Sequence, residues 1–167
     1  MSSALFRMEL LGPQHDRTQF CCGSAPLDSY FQQQVSQDAR RRITSCFVAL
    51  AKDQHIAGFY TLASTSIVLA DLPQYIGKKL PRYPSVPAVR MASLAVGQTF
   101  KRQGLGGALV ADALARASKA GVAAFALVVD AKNQNASDFY LHHGFIAFAG
   151  IPSSLFLSLA TASAFKP

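Results

Sequence analysis

Glutamate is nearly missing from this chain: Glu9 is the only one among 167 residues. Charge of either sign is sparse, since Asp, Glu, Lys and Arg together make up 15% of the residues while 50% are hydrophobic. Disordered, collagen-like and coiled-coil readings therefore fail. Cysteine is scarce too. Cys21, Cys22 and Cys46 are odd in number, include an adjacent pair and lack zinc-ligand spacing, so neither a disulfide framework nor a metal site is read from them. The N-terminal MSSALFRMELLG has no signal-peptide n-region, and no uncharged apolar run of about 18 residues occurs anywhere. These features together point to a reducing, cytoplasmic location. No internal repeat or low-complexity tract stands out.

What is present suits a single globular domain over residues 1–167. A chain this long buries roughly 68–70% of the surface its unfolded form exposes, enough for a core without staples. Sixteen Lys and Arg against nine Asp and Glu leave a net charge of +7. That excess suits an anionic partner, either nucleic acid or a phosphorylated cofactor, and equally fits plain solubility.

The order of elements is informative. Arg7 to Leu11 reads as a strand and Pro26 to Arg42 as a helix, with Leu27, Tyr30, Phe31, Gln34 and Val35 near helical spacing. Ser45 to Ala51 and Ile56 to Leu69, separated by the turn-type Lys52 to His55, read as a hairpin. Asp71 to Pro87 holds four prolines with Lys78, Lys79 and Arg82 and reads as a long basic connection. Ala88 to Val96 is the next strand. A helix then opens at Leu105, carries an exposed Asp112 and Arg116 pair, and stops at Gly121. Ala123 to Asp130 reads as a buried strand. Asn135 to His142 is a short helix with Asn135 as N-cap, Asp138 in its first turn and Gly144 as C-cap, and Phe145 to Phe148 and Ser154 to Leu159 are closing strands. The sum is an α/β or α+β domain with a mixed sheet and one βαβ unit.

The glycine-rich segment Lys101-Arg102-Gln103-Gly104-Leu105-Gly106-Gly107 sits between that strand and that helix. A helix opening this way presents unpaired backbone N–H groups to an anion, with Arg102 as added positive charge. Taken alone, the glycines fit a tight turn and close helix–sheet packing as well. The segment is not a P-loop, since Ala108 and Leu109 stand where Lys and Ser/Thr belong. It is also a poor Rossmann fingerprint, because no acidic residue follows at the usual separation.

With Val129-Asp130-Ala131, Asn135-Ala136 and Phe139-Tyr140 ahead of Gly144-Phe145, this segment resembles the N-acetyltransferases of the GNAT superfamily. Their phosphate loop reads Gln/Arg-x-x-Gly-x-Gly/Ala; lysine at position 101 departs from the first residue. The resemblance implies acetyl-CoA as co-substrate, a mostly antiparallel sheet with splayed fourth and fifth strands, and backbone contacts from Leu94, Ala95 and Val96 to pantetheine. It also implies cofactor contacts from Lys101, Arg102, Gln103, Gly104, Leu105, Gly106, Gly107, Asn135, Ala136 and Phe139, with no metal. Nearly end to end, the chain is similar to the acetyltransferase toxins of bacterial toxin–antitoxin pairs, through Phe20-Cys21-Cys22-Gly23, Leu27-Asp28, Gly58-Phe59-Tyr60-Thr61-Leu62, Val86-Pro87 and Leu94-Ala95-Val96. Ser93 and Gly97 replace the charged ends that such toxins commonly carry around this strand. The toxin resemblance implies acetylation of charged tRNA, a ribbon-helix-helix antitoxin, a homodimeric toxin and operator DNA met only through the antitoxin complex.

Residue chemistry adds a mechanism. Tyr140, whose phenol has a pKa of about 10, suits proton donation to a departing thiolate of about 8.5; packing beside Phe139 is its plain alternative. No carboxylate base stands out; His142 and His143 are candidate bases, and their place beside the C-cap of a short helix fits a dipole-facing surface role better. An α-amine titrating near 7.7–8.0 is a far easier acceptor than a lysine near 10.4. Arg40, Arg41, Arg42, Lys78, Lys79, Arg82 and Arg90 suit tRNA phosphates, or form a solvated basic surface. Rival readings are a GNAT enzyme for a small amine or protein N-terminus, and a non-catalytic CoA-binding regulator.

Overall fold

The computed structural model describes residues 5–162. In chain order its regular elements are β1 (Arg7–Leu10), α1 (Ala25–Ser29), α2 (Val35–Arg40), β2 (Ser45–Leu50), β3 (Ile56–Val68), α3 (Gln74–Gly77) and β4 (Ser85–Val96). There follow α4 (Leu105–Lys119), β5 (Ala126–Asp130), α5 (Gln134–His142), β6 (Ile146–Phe148), β7 (Ile151–Ser158) and α6 (Leu159–Ala162). The strand order is β1-β2-β3-β4-β5-β7-β6. β1 with β2, β2 with β3, β5 with β7 and β6 with β7 run antiparallel, and β4 with β5 runs parallel. This is the mixed α/β architecture expected from the element order. By contacts the chain divides into two compact units, one from the described part of Met1–Ala63 with Met91–Ala113, the other from Ser64–Arg90 with the described part of Leu114–Lys166.

The first unit is built on aromatic packing. Phe31 and Phe59 are fully buried and stack with centroids 4.2 Å apart, and Phe20 meets them edge-on at 5.0 and 5.6 Å. Such pairs add roughly 0.5–1.5 kcal/mol each beyond their burial. Cys22 and Cys46 lie in the same cluster, and burial pushes the Cys46 thiol up to about 12, which makes it a small inert hydrophobe. The helix expected over Pro26 to Arg42 is interrupted: a π-helical turn over Tyr30–Gln34 separates α1 from α2. Arg17 stabilises the wide turn by donating to the Phe31 carbonyl at 2.8 Å and to Ser36 Oγ at 3.3 Å. That brace comes from another part of the chain, so helical spacing alone does not reveal it.

In the second unit Ala88, Val89 and Arg90 of β4 lie opposite Ala126, Leu127 and Val128 of β5. Phe148 and Phe156 pack at 4.9 Å in its core. The segment expected as a bare connection from Asp71 to Pro87 holds α3 and the start of β4, because Leu72, Ile76 and Leu80 pack into this core. β5 starts at Ala126 rather than Ala123, with Phe125 N donating to Pro87 O at 2.8 Å just before it. β7 starts at Ile151, three residues before the expected Ser154.

Candidate active site

The glycine-rich turn is shaped by two left-handed positions, Arg102 with φ 67° and Gly104 with φ 77°. A Cβ at Gly104 would meet nothing within 4 Å, so backbone conformation and not packing calls for glycine there. Gly104 O accepts from Ala108 N at 3.1 Å and starts α4. Among the described residues no hydrogen bond reaches the amides of Leu105, Gly106 and Gly107. Three free N–H groups at the positive end of a 15-residue helix, following a Gly104 with open space where a Cβ would stand, fit a pyrophosphate.

The turn is clasped from the N-terminal side. Lys101 Nζ donates to the Cys22 carbonyl at 3.0 Å, and Gln98 N donates to the Cys21 carbonyl at 2.8 Å. The lysine that departs from the family pattern thus holds the turn in place. Gly97 gives its N–H to Ala57 O at 2.7 Å, and a Cβ there would lie 3.2 Å from that same oxygen. This close approach favours glycine immediately after the end of β4. Ser93 N–H goes to the buried Thr61 hydroxyl at 3.1 Å, and Leu94, Ala95 and Val96 follow to the end of β4.

The head of α4 sits on β3 through residues that periodicity alone does not find. A Cβ on Gly58 would stand 2.8 Å from Ala95 O, 3.1 Å from Leu109 Cδ1 and 3.3 Å from Leu105 Cδ2. One turn further along, the fully buried Tyr60 donates its hydroxyl proton to Asp112 Oδ2 at 2.6 Å. Asp112 is therefore a partly buried acceptor in α4 and not a fully exposed residue.

α5 presents Tyr140. Its N-cap is Asn133, whose side chain accepts from Ala136 N at 2.8 Å, so Asn135 and Ala136 lie inside the first turn and Asp138 beyond it. The expected Asn135 cap loses because the cap must accept from the amide three residues on, and Asn133 does so. At the other end His143 is the C-cap and Gly144, with φ 93°, is the left-handed residue after it. Gly144 N donates to Leu141 O at 3.0 Å and Phe145 N to Tyr140 O at 3.1 Å, the paired bonds of a Schellman motif. Tyr140 is 7% exposed, with the rings of Phe139 and Phe145 at 5.2 and 5.3 Å.

Burial, reinforced by the negative charge of Asp130, raises the Tyr140 phenol to about 12. Among the described residues its hydroxyl has no hydrogen-bond partner, and no sealed side-chain N or O is left unpaired. The phenol oxygen is therefore open to solvent while its ring is packed. Asp130 ends β5, pairs with Arg90 and accepts from Ser154 Oγ at 2.5 Å. Burial, and then the neighbouring His142, lower the His143 pKa from its ordinary value.

Arg40, Arg41 and Arg42 are exposed at the end of α2, and Lys78, Lys79 and Arg82 are exposed after α3. Arg90 differs: it is half-buried and already committed to Asp130.

Comparison with known proteins agrees with this geometry. Residues 14–145 match the Acetyltransferase (GNAT) family. The chain is 30% identical to a probable toxin TacT of Sinorhizobium fredii, over 92% of this chain and 91% of that protein. It is 32% identical to a tRNA-acetylating toxin of Mycobacterium tuberculosis, over 89% of each. Among solved structures it is similar to AtaT complexed with acetyl-methionyl-tRNAfMet, with TM-score 0.88, 27% identity and coverage of 95% of this chain and 97% of that one. It is also similar to AtaTR bound with AcCoA, with TM-score 0.82, 26% identity and coverage of 96% and 97%. By its glycine turn, its strand order and the match over most of its length, this chain belongs to the acetyltransferase (GNAT) family.

Proposed function

We propose that this acetyltransferase takes acetyl-CoA and acetylates the α-amino group of aminoacyl-tRNA, and so acts as a translation-blocking toxin neutralised by a cognate antitoxin. The observation that carries the reading is the set of free amides at Leu105, Gly106 and Gly107 behind the left-handed Gly104. Relatives that cover about nine-tenths of the chain and bear toxin names support it.

In this reading Gly104 to Gly107 hold the diphosphate, with Arg102 and Gln103 at its edge and Lys101 steadying the turn from behind. Leu94, Ala95 and Val96 offer backbone groups to the pantetheine arm, along a β4 that the family expects to splay from β5. Asn135, Ala136 and Phe139 complete the cofactor contacts. Acetyl-CoA supplies an acetyl group activated as a thioester. An α-amine, partly neutral near pH 7.7–8.0, needs only modest help to attack it, which suits a chain with one glutamate. That glutamate is spent in β1, where it bonds His15 at 2.6 Å and Arg7 at 3.0 Å.

Tyr140 is the proton donor. At about 12 its phenol stays protonated across the working range. It is also a weaker acid than a thiol of about 8.5, so its main service is a hydrogen bond to sulfur as negative charge grows there, with the proton following late. Arg40, Arg41, Arg42, Lys78, Lys79 and Arg82 take tRNA phosphates, and Arg90 contributes only by giving up Asp130. The active form is one domain over residues 1–167, homodimeric and cytoplasmic; its antitoxin is of the ribbon-helix-helix kind, and operator DNA is met only through their complex. Residues 1–4 and 163–167 of that span lie outside the described residues. No helix among the described residues is long and apolar enough to cross a membrane.

The test is direct: purified chain, labelled acetyl-CoA, and total charged tRNA beside polyamine, lysine peptide and peptide N-termini. Label moving to charged tRNA alone supports the reading, and label moving only to a small amine or peptide overturns it.

A further inference from the structure

Two tyrosine rings stand in water on the basic segment after β3. Tyr75 is 56% exposed and Tyr83 64% exposed, and neither side chain makes a hydrogen bond among the described residues. The segment itself is fixed, since Leu72 is buried and Leu69, Ile76 and Leu80 pack into the core of the second unit.

Their neighbours are cations. Lys78 N bonds Gln74 O at 3.1 Å and continues the turn of α3, so Tyr75 shares a face with Lys78 and Lys79, three and four residues on. Tyr83 follows Arg82 directly, after a tight turn in which Tyr83 N reaches Pro81 O at 2.8 Å. Lys78, Lys79 and Arg82 are all exposed, and none is in an ion pair among the described residues. Exposed aromatic faces interleaved with free cations are what a single-stranded nucleic acid requires, a π-face for the base and positive charge for the backbone.

We propose that Tyr75 and Tyr83 are stacking platforms for unpaired bases of the RNA substrate, with Lys78, Lys79 and Arg82 holding the adjoining phosphates. This rests on the reading of charged tRNA as substrate and assigns the contact that reads unpaired nucleotides. Stacking on any base is sequence-tolerant, so the surface recognises exposed bases as a class and not one sequence.

The experiment measures binding of charged tRNA, and of a short single-stranded RNA, to the parent chain, Y75A/Y83A, Y75F/Y83F and K78E/K79E across a salt series, with the thermal midpoint as fold control. Y75A/Y83A is expected to bind about 30-fold more weakly or worse, with an unchanged salt slope. Y75F/Y83F, which keeps the rings, should bind like the parent, and K78E/K79E should flatten the salt slope. The inference is overturned if Y75A/Y83A binds within twofold of the parent, or if Y75F/Y83F loses as much as the alanine pair, which would make the hydroxyls the contact. It is equally overturned if RNA binding is intact but self-association or antitoxin binding is lost, which assigns the rings to a protein interface. If the parent itself binds no charged tRNA, the substrate reading falls and this inference with it.

Discussion

Phe145 donates its backbone N–H to the carbonyl of Tyr140 at 3.1 Å and sets its ring 5.3 Å from the Tyr140 ring. The stop signal of α5 and the seat of the proposed proton donor are thus one structure. Gly144 makes it possible by adopting φ 93° between them.

Gly144→Ala therefore acts at a distance from the chemistry. An added Cβ meets only Leu157 Cδ1 at 4.0 Å, so the cost is backbone strain of about 1–2 kcal/mol rather than a clash. The expected kinetics are a lowered kcat with acetyl-CoA KM close to the parent's. A raised KM with unchanged kcat would show that the cap does not position Tyr140.

Gly58→Ala should do the opposite. Its Cβ is forced against Ala95 O at 2.8 Å and against Leu105 and Leu109 at the head of α4. Overpacking of this kind costs about 1–3 kcal/mol and shifts the elements that meet there. Calorimetry should report weaker acetyl-CoA binding, by tenfold or more, in protein that still melts cooperatively. Parent-like affinity would remove Gly58 from any role in seating the phosphate turn.

Arg42 follows α2 with φ 61°, and its N–H bonds Ala39 O at 3.1 Å while Ile43 N bonds Asp38 O at 2.9 Å. This is a position that favours glycine. Arg42→Gly should raise unfolding stability by about 1 kcal/mol and weaken charged-tRNA binding through one lost phosphate contact. A gain in stability with RNA affinity unchanged would leave the arginine as surface charge.

The glycine turn, the chain order of most elements and the approximate place of Tyr140 were legible because they rest on local signals: glycine at a left-handed turn, periodicity, and glycine after a short helix. What the sequence hid depends on distant partners. Lys101 reaches Cys22, 79 positions away, and Tyr60 reaches Asp112 across 52 positions. The π-helical turn needs Arg17. Asn135 read as the cap of α5, and Asn133 holds that place because its side chain accepts from the amide of Ala136. The stretch read as loop because Pro73, Pro81, Pro84 and Pro87 dominate its local signal and mask the i, i+4, i+8 spacing of its anchors Leu72, Ile76 and Leu80.

The raised phenol of Tyr140 fixes the alkaline behaviour. kcat/KM should climb through the acceptor amine near pH 7.7–8.0 and then stay level past pH 10, because the phenol ionises only at about 12. A fall centred near 10 would mean a solvent-like tyrosine. Stability carries the same sign: the folded pKa lies above the unfolded value of about 10, so the contribution is intact below pH 10 and is lost as pH rises to about 12. Tyr140→Phe should show a flatter stability curve over that interval.

The decisive measurement is turnover of Tyr140→Phe on charged tRNA beside its calorimetric affinity for acetyl-CoA. A proton donor predicts turnover lower by about 10²–10⁴ with cofactor affinity within twofold of the parent. Parent-level turnover in that variant would contradict the mechanism and return Tyr140 to the role of a packed ring.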